Sequence, residues 1–165
     1  MTEENFNMHR FTHAIYLNSP VETVYEFAAT PSGITKWFIG KAKYFYKDSN
    51  IRLGNEYAEK GDSFLWTWLN KDLELKGIVT ESVKDKIFQF TFSPLYIVTL
   101  ILHSEGNKTK LTLTQEYQDS AVRNDFNFIN CCTCWVFFLT NLKSVIENGI
   151  DLREKDAVDE MLVNL

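Results

Sequence analysis

Between residues 41 and 117 the chain keeps returning to an alternation of apolar and polar side chains, and no helical pattern interrupts it. A period of two sends successive side chains to opposite faces of a strand. Strands joined only by turns pair antiparallel, because a parallel pair needs a long crossover, usually a helix. The run therefore predicts an antiparallel meander and removes the parallel α/β folds at the outset. Its strands are "KAKYFY", "SFLWTWLN", "LELKGIVTES", "KIFQFTF", "YIVTLILH" and "KLTLTQEY", with "RLGNEYAEKGD" as a further strand running into a turn. Phe64, Trp66 and Trp68 share one face, as do Phe88, Phe90 and Phe92. The last strand alternates most cleanly: Leu111, Leu113, Gln115 and Tyr117 face one way, and Thr112, Thr114 and Glu116 the other. Asn70-Lys71-Asp72 and Glu105-Gly106-Asn107 supply turns.

Helical spacing lies on either side of this run. After a first strand, "RFTHAIYL", Ser19 is placed to cap a helix, with Pro20 at its first position and Glu22 completing a capping box. Val21, Val24, Tyr25 and Ala28 recur at helical spacing, and Thr30-Pro31 opens a second short helix ending near Trp37-Phe38. From about residue 121 to 148, Phe128, Cys132, Trp135, Leu139, Leu142 and Ile146 form a stripe that Cys131, Phe138 and Val145 widen. Gly149 is a stop signal. These elements predict one domain over residues 1–149. Residues 150–165 form an extension in which Val158, Met161, Leu162 and Leu165 are spaced for a short amphipathic helix.

The stretch "NCCTCWVFF" raises the question of a metal or redox site. On a helix each residue advances about 100°, so Cys131 and Cys134 sit about 60° apart while Cys132 points about 160° from Cys134. Three thiolates so arranged cannot converge on one ion, and His9, His13 and His103 provide no pair at ligand spacing. A reactive C-x-x-C opens a helix, where free amides lower a thiol pKa; this one is expected about three turns inside. The cysteines read as small apolar residues of the core. No metal and no cofactor is expected.

Composition excludes further classes. A net charge of −5 argues against a nucleic-acid partner, and Lys41, Lys43 and Lys47 form the nearest approach to a basic patch. The N-terminal "MTEENFNMHRF" has no apolar segment of signal-peptide length. The longest apolar run, Trp135 to Leu139, falls far short of the roughly 20 residues a membrane span needs. A cytoplasmic setting with reduced cysteines is expected.

One long helix with a wide apolar stripe must bury it, and the concave side of a curved sheet is the surface large enough. The predicted fold class is α+β, with a curved antiparallel sheet wrapped around a long C-terminal helix and two short helices after the first strand; a helix-grip is what the resemblance of the following segments implies. The segments "LNSPVETVYEFAATPSGITKWF", "RLGNEY", "LKGIVTES", "KIFQFTF", "TKLTLTQEY" and "CWVFFLTNLKSVIENG" resemble, in order, the activator-of-heat-shock-chaperone-ATPase-like branch of the START/SRPBCC superfamily. The likeness covers about residues 10–149, with Cys134 where the family commonly has Gly and Gln115 where it often has His.

The resemblance implies a hydrophobic cavity between sheet and helix that takes a small hydrophobic or lipid-like molecule. The residues that would line it are Trp37, Trp66, Trp68, Phe90, Phe92, Leu100, Leu113, Cys131, Trp135 and Phe138, with Gln115 as a polar orienter. The alternative for these residues is a core filled by its own rings. The branch also implies a co-chaperone or regulatory role in the stress response, with a protein partner. Cyclases and hydrolases occur on this fold, but the chain has no nucleophile motif, metalloprotease helix or glycine-rich phosphate loop. His103 and Glu116, on adjacent strands, are the nearest approach to an acid–base pair. Oligomeric state has no signature in the sequence.

Overall fold

The computed structural model describes residues 9–71, 73–118 and 124–156. Seven strands form one antiparallel sheet: β1 (Arg10–Leu17), β2 (Lys41–Phe45), β3 (Ser63–Thr67), β4 (Glu74–Val83), β5 (Ile87–Phe92), β6 (Tyr96–Glu105) and β7 (Lys108–Tyr117). Their order is β1-β7-β6-β5-β4-β3-β2, so β2 to β7 are a plain meander and the first strand pairs with the last. Helices α1 (Val21–Ala29) and α2 (Pro31–Ile34) fill the connection from β1 to β2, and α3 (Asp125–Asn148) follows β7. The antiparallel meander expected from the alternation and the helix-grip implied by the resemblance are what form.

Alternation decides which face is buried. On β7, Leu111, Leu113 and Gln115 are buried, and across the β1 pairing Phe11 stands opposite Gln115. The same face continues through Val98 and Leu100 on β6, Phe88 and Phe90 on β5, and Phe64 and Trp66 on β3. Gly77 on β4 lies opposite Phe64, and a Cβ there would meet the Phe64 ring at 2.3 Å. The glycine makes room for the aromatic ring lying across it.

Three local expectations are corrected. The segment "RLGNEYAEKGD" is not a strand; Ile51 makes one bridge to Phe45 and the rest is irregular. Its backbone is taken up elsewhere: Ser32 N–H donates to the Gly54 carbonyl and Ala58 N–H to the Ala29 carbonyl, at 2.8 Å each. Arg52, buried, pairs with buried Asp62, reaches Glu59 at 3.2 Å and stacks over the Tyr46 ring at 3.9 Å. Burying a guanidinium requires such partners, and they curl the chain back on itself.

Ser19 does not cap α1. Pro20 occupies the cap position, with φ −59° and ψ 152°, and no side chain caps the helix. The helix starts one residue later than the pattern implied, and Ser19 is instead tied to β7, its carbonyl accepting from the Thr109 hydroxyl at 2.8 Å. The second signal holds. Thr30 Oγ1 accepts from Gly33 N–H at 2.9 Å and donates to the Glu26 carbonyl at 2.8 Å, with Pro31 as the first helical residue.

The third correction concerns α3, which starts at Asp125 rather than near 121. The Asn124 side chain caps it, accepting from Asn127 N–H at 3.0 Å. At the other end Gly149 adopts φ 69°, the left-handed conformation that favours glycine at a helix C-terminus. The chain then turns back. Asp151 holds Arg153, whose guanidinium donates to the carbonyls of Ile39 and Thr35 at 2.9 Å each. Asn141, fully buried, donates to the Trp37 carbonyl at 2.8 Å and accepts from Leu152 N–H. Burial would raise the Asp151 pKa, but its hydrogen bonds from Arg153 and Asn141 hold it below the ordinary value. Val158, Met161, Leu162 and Leu165 lie outside the described residues.

Replacing Thr30 by Ala removes a cap and is expected to lower stability by about 0.5–2 kcal/mol. Ser19→Ala is expected to stay within about 0.5 kcal/mol, since only the Ser19 backbone is used. Chemical denaturation of both variants checks the contrast; equal losses would restore a capping role to Ser19.

Candidate functional site

The face that α3 turns to the sheet carries Phe128, Trp135, Phe138, Leu139 and Leu142, all buried. Trp135 and Phe138 meet a ring from the α2–β2 connection, Phe38, which stacks on Trp135 with centroids 4.6 Å apart and meets Phe138 edge-on at 4.9 Å. Phe38 also touches Trp68 at 5.5 Å, Trp66 at 5.8 Å and Phe92 at 6.2 Å. Its position comes from Thr30 and Pro31, which begin α2, and from Asn141 and Arg153, which hold the carbonyls on either side of it at Trp37 and Ile39. Each buried ring contributes about 1.5–3 kcal/mol of hydrophobic stabilisation.

Of the residues expected to line a cavity, Trp37, Trp66, Phe90, Leu100, Leu113, Gln115, Trp135 and Phe138 are buried between sheet and helix. Trp68, Phe92 and Cys131 are half-buried. Ring contacts link Trp37, Trp66, Trp68, Phe90, Phe92, Trp135 and Phe138 through one aromatic cluster. Leu100 and Leu113 face each other across β6 and β7, beside the Val98–Gln115 pair. Phe64, stacked on Trp66 with centroids 4.1 Å apart, and Phe38 are members absent from the expected lining. The adjacency of Phe38 to Trp37 was visible, but its role depends on where a connection folds back.

Gln115 is the polar group of this interior. It is fully buried, and its Oε1 accepts from Trp135 Nε1–H at 2.7 Å. Its Nε2 has no hydrogen-bond partner, and neither do Trp66 Nε1 or the Tyr44 hydroxyl, both also buried. The Cys131 thiol lies near the Gln115 amide, which favours its thiolate, but burial dominates and pushes the thiol pKa up. Burial likewise pushes the Tyr44 phenol far above its ordinary value.

The cysteines sit at the margin of the core rather than within it: Cys131, Cys132 and Cys134 are free and half-buried. Because α3 begins at Asp125, the C-x-x-C lies nearer the helix start than the expected three turns, yet beyond the first turn with its free amides. Burial raises all three thiol pKa values, the opposite of what an activated cysteine needs. Among the described residues no group of three His, Cys, Asp or Glu could hold a metal ion. His13 Nε2 is 3.0 Å from the Cys132 carbonyl and 3.5 Å from its sulfur, fastening β1 to α3. His103 and Glu116 do not meet, since His103 pairs with Lys110 and Glu116 with Ile97.

α3 is long and apolar enough to cross a membrane, as the core helix of a folded domain also can be, and one of its faces packs on the sheet.

A seven-stranded antiparallel sheet gripping a long C-terminal helix, with two short helices after β1, defines a protein of the START/SRPBCC helix-grip class. Residues 18–147 match the profile of "Activator of Hsp90 ATPase homolog 1-like protein", and the chain belongs to that family. No curated protein sequence matches it closely enough to count as a relative. Similar solved structures include protein SSP2350 from Staphylococcus saprophyticus, with TM-score 0.69 and 19% identity over 87% of this chain and 96% of that one. The Aha1 dimer from Colwellia psychrerythraea gives TM-score 0.65 and 18% identity, over 85% of this chain and 97% of that one. DynU16, from the dynemicin biosynthetic locus, gives TM-score 0.70 and 17% identity, over 89% of this chain and 50% of that one.

Trp135→Phe keeps the ring contacts but leaves the Gln115 carbonyl oxygen without its donor, an expected loss of about 1–3 kcal/mol. Adding Gln115→Leu removes the orphaned group. The double variant is therefore expected to be less destabilised than the sum of the single changes, as a denaturation cycle would measure.

Proposed function

We propose that the chain binds a small apolar molecule between the concave sheet and α3. The observation that carries this reading is the unsealed rim of the aromatic cluster. Trp68 and Phe92, at the ends of β3 and β5, stay half-buried, as do Leu95 and, on α3, Cys131 and Cys134. Directly beneath them lie Trp135 and the buried polar group Gln115, with the Phe92 and Trp135 rings 5.7 Å apart. A pocket that takes small molecules is mostly apolar, with few placed polar groups, and this interior has that composition. A ligand would enter by turning Trp68 and Phe92 aside and stacking against Phe38 and Trp135. The likeness to DynU16 is consistent with a small-molecule role.

The test is titration with an environment-sensitive apolar dye and a panel of apolar molecules, followed by the emission of a variant retaining Trp135 as its only tryptophan. Micromolar affinity, about −8 kcal/mol, and a raised melting temperature are expected. A panel that neither binds nor stabilises would leave the rings as a filled core.

A second reading rests on the outer face of α3. Phe126, Ile129 and Val136 are 72%, 58% and 52% exposed, and residues 126–142 contain no charged side chain. In a chain of net charge −5, a charge-free apolar face is the surface on which two copies meet without repulsion. The likeness to a structure described as an Aha1 dimer accords with self-association. Sedimentation should show dimers that Val136→Glu converts to monomers; a native monomer at high concentration would end this reading.

A further inference from the structure

The reading of a ligand site between sheet and α3 can be carried to the class of ligand, because the polar group at its centre has only one orientation. An indole N–H can donate but not accept. Since Trp135 Nε1 lies 2.7 Å from the Gln115 side chain, the atom facing it must be the amide oxygen, and the amide cannot be turned over. The NH2 group of Gln115 is thereby committed to the opposite side.

That group is a buried donor without a hydrogen-bond partner, on a residue that is 0% exposed. Its sulfur neighbour, Cys131, is a weak acceptor outside hydrogen-bond geometry. Its cross-strand neighbours Phe11 and Val98 offer no side-chain acceptor. Trp66 Nε1 also lacks a hydrogen-bond partner, but the Tyr44 hydroxyl lies beside it, so Gln115 is the donor that carries the argument. The interior thus presents an amide N–H donor that its own side chains leave unmatched.

Among the described residues the buried charged groups are Arg52, Asp62 and Arg153, and none of them faces the Gln115 amide. Arg52 and Asp62 pair with each other, and Arg153 is held by Asp151 and the backbone at the α2–β2 connection. None is left to neutralise an ionised head group, and an unpaired carboxylate loses its hydration on entry without compensation.

We propose that the ligand is a neutral apolar molecule bearing a hydrogen-bond-accepting oxygen, such as a ketone, aldehyde or ester, and that the Gln115 side-chain amide receives that oxygen. The proposal rests on the ligand-binding reading above, and the experiment separates the two. Methyl nonyl ketone, undecane and the undecanoate ion have equal carbon counts and differ only at the head. Each is titrated against the full chain by displacement of an apolar dye. The ketone is expected to bind about tenfold more tightly than either of the others, about 1.4 kcal/mol. Gln115→Leu should bring ketone and undecane to equal affinity. Equal affinities in the native chain, tightest binding by undecanoate, or a ketone preference that survives Gln115→Leu would overturn the proposal while leaving a ligand site standing. Failure of all three molecules to displace dye, with dye itself unbound, would overturn the ligand site and this inference with it. Should Gln115→Leu fail to fold, the carbonyl stretch of carbon-13-labelled ketone decides. Bound to the native chain it should fall below its frequency in hexane, and an unshifted band would overturn the proposal.

Discussion

The buried hydrogen bond from Trp135 to Gln115 joins the two halves of the fold, helix and sheet. α3 has a wide apolar face that water would not tolerate exposed, and the sheet has a concave face that needs a cover. Hydrophobic burial brings the two together without direction. The Trp135–Gln115 bond, 2.7 Å long and fully buried, adds direction. A slip of α3 along the sheet would strand a donor on one element and an acceptor on the other, in surroundings where water cannot replace either.

A second set of bonds determines what lies between those halves. Asn141 on α3, together with Asp151 and Arg153 beyond it, grips the backbone at Thr35, Trp37 and Ile39. The grip puts Phe38 at the centre of the cluster, touching rings from the sheet and from α3. The tail after α3 therefore helps shape the proposed site, although among its described residues no side chain enters the aromatic cluster. Asp151 is well suited to this, since its bonds from Arg153 and Asn141 keep it ionised against the cost of burial.

Much of this was legible beforehand. The alternation of "KLTLTQEY" and "KIFQFTF" assigned both strands and their buried faces, and the helical stripe around Trp135 named the residues of α3 that meet the sheet. Thr30-Pro31 was read correctly because its cap is made within four residues. Ser19 was misread, although it belongs to the same kind of motif, because Thr109 on a distant strand holds its carbonyl. The 51–62 segment was misread for a similar reason: the buried Arg52–Asp62 pair and bonds to the helices take the place of strand pairing. For the cysteines, spacing alone does not give depth: expected in the core, they lie at the rim.

The sequence by itself determined the period of each element, hence the antiparallel sheet, the long helix and the side of each that is buried. Those are properties of neighbouring residues, written into the chain by the spacing of apolar side chains. Tertiary structure alone decided which connection supplies the ring between sheet and helix, which way the Gln115 amide points, and where the chain after Gly149 is tied. Each of these depends on a partner distant in the chain, such as Trp135 for Gln115, Trp37 for Asn141 or Ile39 for Arg153. Such a partner leaves no periodic trace, because side-chain hydrogen bonding is set by positions in space and not by spacing along the chain.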